Sequence, residues 1–131
     1  MKLIKRYAAH FVIGGTGYGI IELIWRKHTH WTMILAGGIC FIIFSVIAEK
    51  LATKPLAIKA VLASLCITLI ELIFGVIFNI HFKMNVWDYS DIPMNILGQI
   101  CPIFSFFWCI LSFIFLPLAS LLNEMIKNGA L

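Results

Sequence analysis

Charge is scarce in this chain. Asp, Glu, Lys and Arg make up only 12% of its 131 residues, against 62% hydrophobic residues. That imbalance excludes an ordinary soluble domain, which could not hide so much apolar surface. No segment between the apolar runs is long enough for a separate soluble domain or a built-in ATPase. The four cysteines, Cys40, Cys66, Cys101 and Cys109, lack the CxxC spacing of a metal or redox pair. They read as reduced, structural residues inside apolar segments. No metal and no cofactor is expected.

What the chain has is long apolar stretches, at 7–25, 31–48, 56–80 and 96–122. Each is near the roughly 20 residues that a helix needs to cross a bilayer. The expectation is one all-α membrane domain over 1–131, with four transmembrane helices and a long outer connection at 81–95. The basic-then-apolar start, Lys2 to Gly15, resembles a signal peptide. No small-x-small cleavage site follows it before Arg26, so it reads as the first membrane helix.

The basic residues set the orientation. Lys2, Lys5, Arg6, Lys50, Lys54, Lys59 and Lys127 fall on one side, against Arg26, Lys27 and Lys83 on the other. The positive-inside rule then puts both termini and the 49–55 connection in the cytoplasm. The net charge of +4 lies at membrane edges rather than in a basic patch, so no nucleic-acid partner is implied.

Ile21-Glu22-Leu23-Ile24 recurs as Ile70-Glu71-Leu72-Ile73, and 32–45 aligns without gaps on 93–106, pairing Gly37 with Gly98 and Cys40 with Cys101. The pattern predicts an internal duplication. Two hairpins of equal orientation would then be related by an axis along the membrane normal, with Glu22 and Glu71 at similar depths.

Charge matters most where it costs most. Glu71 lies deep in the third stretch, and a carboxylate there costs a few kcal/mol unless it is protonated, paired or facing water. It is the first candidate for a cation or proton site. Glu22 is the second, although Arg26 four residues on has the spacing of an intrahelical ion pair. Gly15 and Gly19 form a small-xxx-small pair suited to close helix packing. A phosphate loop is excluded because no strand precedes these glycines. Thr16-Gly17-Tyr18-Gly19 is not placed as a potassium filter would be, because it lies within a continuous apolar span. His10, His28 and His30 read as interfacial residues.

The 81–95 connection holds Trp87, Asp88, Tyr89, Ser90 and Asp91, followed by Pro93 and Asn95. Trp87 and Tyr89 suit headgroup level, and Asp91 with Pro93 suits a capped helix start. Further on, Pro102 is expected to kink the last span and free the Gly98 carbonyl beside Gln99.

Glu71, the Trp87-Asp88-Tyr89-Ser90 run, Pro93, Asn95-Ile96 and Gly98-Gln99-Ile100-Cys101 together carry a resemblance. They resemble a bacterial integral-membrane family named as ABC-transporter permeases of the CmpB type. Gly17-Tyr18-Gly19 leading to Glu22 is similar to that family's first half. Residues 26–38 depart from its pattern, keeping only Arg26 and Gly37-Gly38. The resemblance implies transport across a bacterial cell membrane. The 49–55 connection is too short for a familiar coupling element to an ATPase, so solute transport is expected without the ATP-driven mechanism.

The leading expectation is a small multi-pass transporter, not an enzyme. A small solute, cation or proton would be held between the repeats by Glu71 and Glu22. Tyr18, Asn95 and Gln99 would supply neutral hydrogen bonds, and Trp87, Asp88, Tyr89 and Ser90 would gate the outer mouth. Four spans enclose little volume, so a homodimer is expected. The alternative is a non-transporting subunit or sensor that assembles with a partner protein. A membrane enzyme is disfavoured, because His81, Asp88, Ser90 and Asp91 lack a nucleophile–base arrangement.

Overall fold

A computed structural model describes residues 2–129, with Lys2 given by its backbone alone. Its helices are α1 (Lys2–Arg26), α2 (Trp31–Lys50), α3 (Leu56–Phe74) and α4 (Pro102–Lys127). A π-helical segment, Gly75–His81, continues α3 without a break. No strand occurs among the described residues.

Local chemistry sets the helix ends. Lys27, at a φ of 64°, closes α1, and the His30 ring accepts the Thr32 N–H at 3.3 Å to cap α2. Pro55 precedes α3, and Pro102 sits at the first position of α4, where its missing N–H costs nothing. α2, the α3 run through His81, and α4 are each long and apolar enough to cross a membrane.

α1 and α2 run antiparallel in close contact, and glycine makes that possible. A Cβ on Gly14 would lie 2.3 Å from the Phe41 Cβ, and one on Gly37 would lie 2.6 Å from the Tyr18 Cβ. Gly15 and Gly19 both face Ile34, as their four-residue spacing requires. An Arg6–Glu49 ion pair ties the far end of this hairpin. The core beside it joins α2, α3 and α4. Ala60, Ala63 and Ala119 are wholly buried there between Phe44, Ile67 and Leu116. Small residues let these helices approach where lipid offers no hydrophobic contrast.

The last helix differs from its expected form. It begins at Pro102 rather than near 96, so Pro102 starts a helix instead of kinking one. The Gly98 carbonyl is not free, because the Tyr89 N–H donates to it at 2.7 Å. Asp91 and Pro93 form turns, and Cys101 is the residue before the helix. Residues 93–101 are therefore non-helical, whereas the aligned 32–40 lie within α2. Met94, Leu97 and Gly98 all have positive φ, so the repeat alignment pairs unlike backbone over this stretch. His10, expected as an interfacial residue, packs inside the bundle. It is fully buried, with its ring nitrogens 2.8 Å from the Arg6 carbonyl and 3.3 Å from that of Ala119.

Candidate functional site

The connection between His81 and Pro102 does not stand clear of the bundle. It folds back along the π-helical segment, and the contact is tight. A Cβ on Gly75 would lie 2.5 Å from the Gln99 Oε1 and 2.8 Å from its Cβ. Only glycine leaves room for that approach. The Asn79 amide donates to the Gln99 Oε1 at 2.8 Å and accepts the Val86 N–H at 2.7 Å. The Trp87 indole donates to the Gln99 carbonyl at 3.0 Å. These bonds seat the loop against α3, and seven π-helical residues widen the turn that receives it. Such π segments recur at functional sites.

The seated loop delivers Tyr89 to Glu71. The Tyr89 hydroxyl donates to the Glu71 Oε2 at 3.2 Å, and the Trp108 indole N–H of α4 donates to the Oε1 at 3.0 Å. Tyr89 is itself held by stacking on Phe104, with centroids 4.7 Å apart. Glu71 thus has one neutral donor on each carboxylate oxygen. The other candidate carboxylate is differently placed. Glu22, 5% exposed, meets the Arg26 Nε at 2.6 Å within the same helix.

Glu71 opens onto a cavity of about 200 Å³. Tyr18, Trp87 and Trp108 contribute to its wall, with Phe41, Phe44, Phe74, Met33 and Cys40 among the others. The Tyr18 and Trp108 rings lie 6.1 Å apart. Gly17 also borders the cavity, and a Cβ there would meet nothing within 4 Å. The wall is overwhelmingly apolar, and Glu71 is the one charged residue in it among the described residues.

The site therefore gathers some of the residues expected from sequence and not others. Glu71, Tyr18 and Trp87 line the cavity, and Tyr89 reaches it through Glu71. Glu22 is engaged by Arg26. Asn95 bonds the Ser90 and Ile92 carbonyls and the Gly98 N–H, so it organises a turn. Gln99 is spent on Asn79 and the Leu97 carbonyl. Neither amide lines the cavity, because both hold the loop in place. Asp88 and Ser90 are exposed. The Ser90 N–H donates to the Asp88 Oδ1 at 2.9 Å, which holds that carboxyl below its ordinary value. Trp87, expected at headgroup level, is buried against the loop and helix at 7% exposure.

Trp108 is the residue that sequence reasoning missed. A signal existed, because tryptophan prefers the membrane interfaces and this one lies well inside the last apolar stretch. Among the described residues, no group of three His, Cys, Asp or Glu is arranged to hold a metal.

A family model described as Putative ABC-transporter type IV matches residues 9–129. It is the CmpB-type family that the Trp87–Ser90 run and its continuation resemble. No curated protein and no solved structure matches the chain.

Proposed function

The chain belongs to the ABC-transporter type IV family, and on that premise we propose that it is a small membrane transporter, not an enzyme, with Glu71 as its cation or proton site. The observation that carries this reading is the cavity that Glu71 borders. A glutamate kept only for assembly would be enclosed in solid packing. This one is oriented by Trp108 and Tyr89 and lines the cavity.

All four helices cross the bilayer in this reading. α1 is as long as the others and lies along α2, which is itself long and apolar enough to span. Its glycines, His10 and Glu22 dilute its hydropathy without shortening it. The positive-inside rule puts Arg6, Lys50, Lys54, Lys59 and Lys127 on the cytoplasmic face of a bacterial cell membrane, with both termini. The two antiparallel hairpins, α1–α2 and α3–α4, then act as parallel halves around the cavity, and two copies assemble as a homodimer.

Outward, Trp87 borders the cavity and Tyr89 bonds Glu71 beside it. Toward the cytoplasm, the Ser45–Asn123 hydrogen bond of 2.7 Å and the Phe44–Phe115 contact separate it from a cleft of about 470 Å³. Arg6, Glu49, Asn123 and Lys127 border that cleft. In this reading the loop and the α2–α4 contact open alternately. The connection between Lys50 and Leu56 is too short to engage an ATPase in a familiar way, so a gradient supplies the energy.

The test is flux in proteoliposomes enclosing a pH-sensitive dye, with gradients of alkali and organic cations imposed in turn. Wild-type protein is expected to couple one of these gradients to proton movement, and Glu71→Gln to lose at least about tenfold of the rate, or roughly 1.4 kcal/mol of barrier. Flux unchanged in Glu71→Gln removes the proposed mechanism. Absence of flux with stoichiometric copurification of another membrane protein supports the alternative, a non-transporting subunit or sensor.

A further inference from the structure

We infer that the ligand of the Glu71 cavity is a lipophilic organic monocation, a primary or substituted amine carrying about one aromatic ring. The inference rests on the transport reading and names its substrate class.

Charge gives the first argument. Glu22 already has a cation in Arg26, whereas the hydrogen-bond donors on Glu71 are an indole and a phenol. Those donors fix the carboxylate's direction and leave its charge without a counter-charge. A carboxylate offers about four lone-pair positions, of which two are used, so an ammonium can still bond to it. One acid suits one positive charge, and an anion would meet it with repulsion.

The wall gives the second argument. A dehydrated inorganic cation needs about six oxygen ligands. Among the described residues that line it, the only oxygen-bearing side chains are Glu71 and Tyr18, and the others are aromatic, aliphatic or sulfur-bearing. Such a wall cannot replace a hydration shell, but it suits an ammonium whose substituents are apolar. Tyr18, Trp87 and Trp108 add aromatic rings, whose faces attract a cation electrostatically.

Volume gives the third. An apolar cavity of about 150 Å³ accepts benzene. The extra space in about 200 Å³ accommodates a short aminoalkyl arm.

The test is calorimetric titration of the full chain in lipid nanodiscs with 3-phenylpropylammonium. Its neutral counterpart 3-phenyl-1-propanol and the bare methylammonium ion serve as comparisons. The expected result is saturable binding of 3-phenylpropylammonium, with both comparisons at least about tenfold weaker, or roughly 1.4 kcal/mol. Glu71→Gln should weaken it by a similar factor. Gly17→Leu, which fills open space without touching Glu71, should abolish it, and Gly17→Ala should weaken it less. The two Gly17 variants are compared only as monodisperse, helical protein. Equal binding of the alcohol, or binding unaffected by Glu71→Gln, overturns the inference. So does failure of 3-phenylpropylammonium to bind. If that failure accompanies Glu71-dependent flux of alkali cations, the ligand class alone falls. If flux is absent too, the transport reading falls with it.

Discussion

Gly14 and Gly17 lie on the same helix, one turn apart, and the same substitution should affect them in opposite directions. In Gly14→Ala the new Cβ would sit 2.3 Å from the Phe41 Cβ and 2.8 Å from the Gly37 carbonyl oxygen. Carbon atoms pack at about 3.5–4.0 Å, so α1 and α2 must separate by an ångström or more. Neither contacting atom is the free end of a flexible side chain, and the separation propagates along the crossing. Overpacking of this kind costs about 1–3 kcal/mol. A gap of 0.5–1 Å along the rest of the contact forfeits roughly a quarter to a half of its dispersion energy. The net expectation for Gly14→Ala is a loss of about 2 kcal/mol or more. In Gly17→Ala the Cβ meets nothing within 4 Å. The only change is improved helix propensity, at most about 1 kcal/mol and less where the unfolded reference keeps its helices. Unfolding with increasing dodecyl sulfate fraction in mixed micelles, followed by far-ultraviolet ellipticity, measures both. A Gly14→Ala protein as stable as Gly17→Ala would refute the close α1–α2 crossing, and with it the argument that carries α1 across the membrane beside α2.

Two further predictions concern the loop. Gly75→Ala places a Cβ against Gln99 and should cost about 1–3 kcal/mol. It should also shift Trp87 emission to the red and speed proteolysis between residues 82 and 101, and unchanged emission would contradict the seating of the loop. Asp88 is held below its ordinary value mainly by the Ser90 backbone N–H. A depressed native value means that its contribution is complete above the unfolded carboxylate range and is lost as pH falls through the native value. Hydrogen exchange at the Ser90 amide should therefore stay protected from neutral to mildly acid pH. Protection should drop in Asp88→Ala at every pH, and equal protection in the two proteins would remove the bond's role.

How much of the site could be read beforehand depends on the kind of signal. Glu71 stands out in sequence because a carboxylate in an apolar run costs energy wherever the chain goes. The Trp87–Ser90 run stands out because it fills the only long connection and resembles a family hallmark. Asn95 and Gln99 look alike as polar groups near a span, yet neither lines the cavity. Their type predicts hydrogen bonding, but only the folded loop decides with what. Trp108 lies 37 residues from Glu71, and no local pattern joins them.

By itself the sequence determined that this protein belongs in a membrane, and that its buried charge is concentrated in two glutamates. Those conclusions follow from transfer energies, which depend on residue type and hardly on neighbours. The spacing of Glu22 and Arg26 already offered an intrahelical pair, whereas the tertiary structure alone decided that Glu71 lines a cavity between an indole and a phenol. It also decided that the last helix starts at Pro102, because Gln99 seats against Gly75 and draws residues 96–101 out of the helix their hydropathy would support. Proximity between distant segments is set by shape and hydrogen bonding, and no periodicity in one strand of sequence records it.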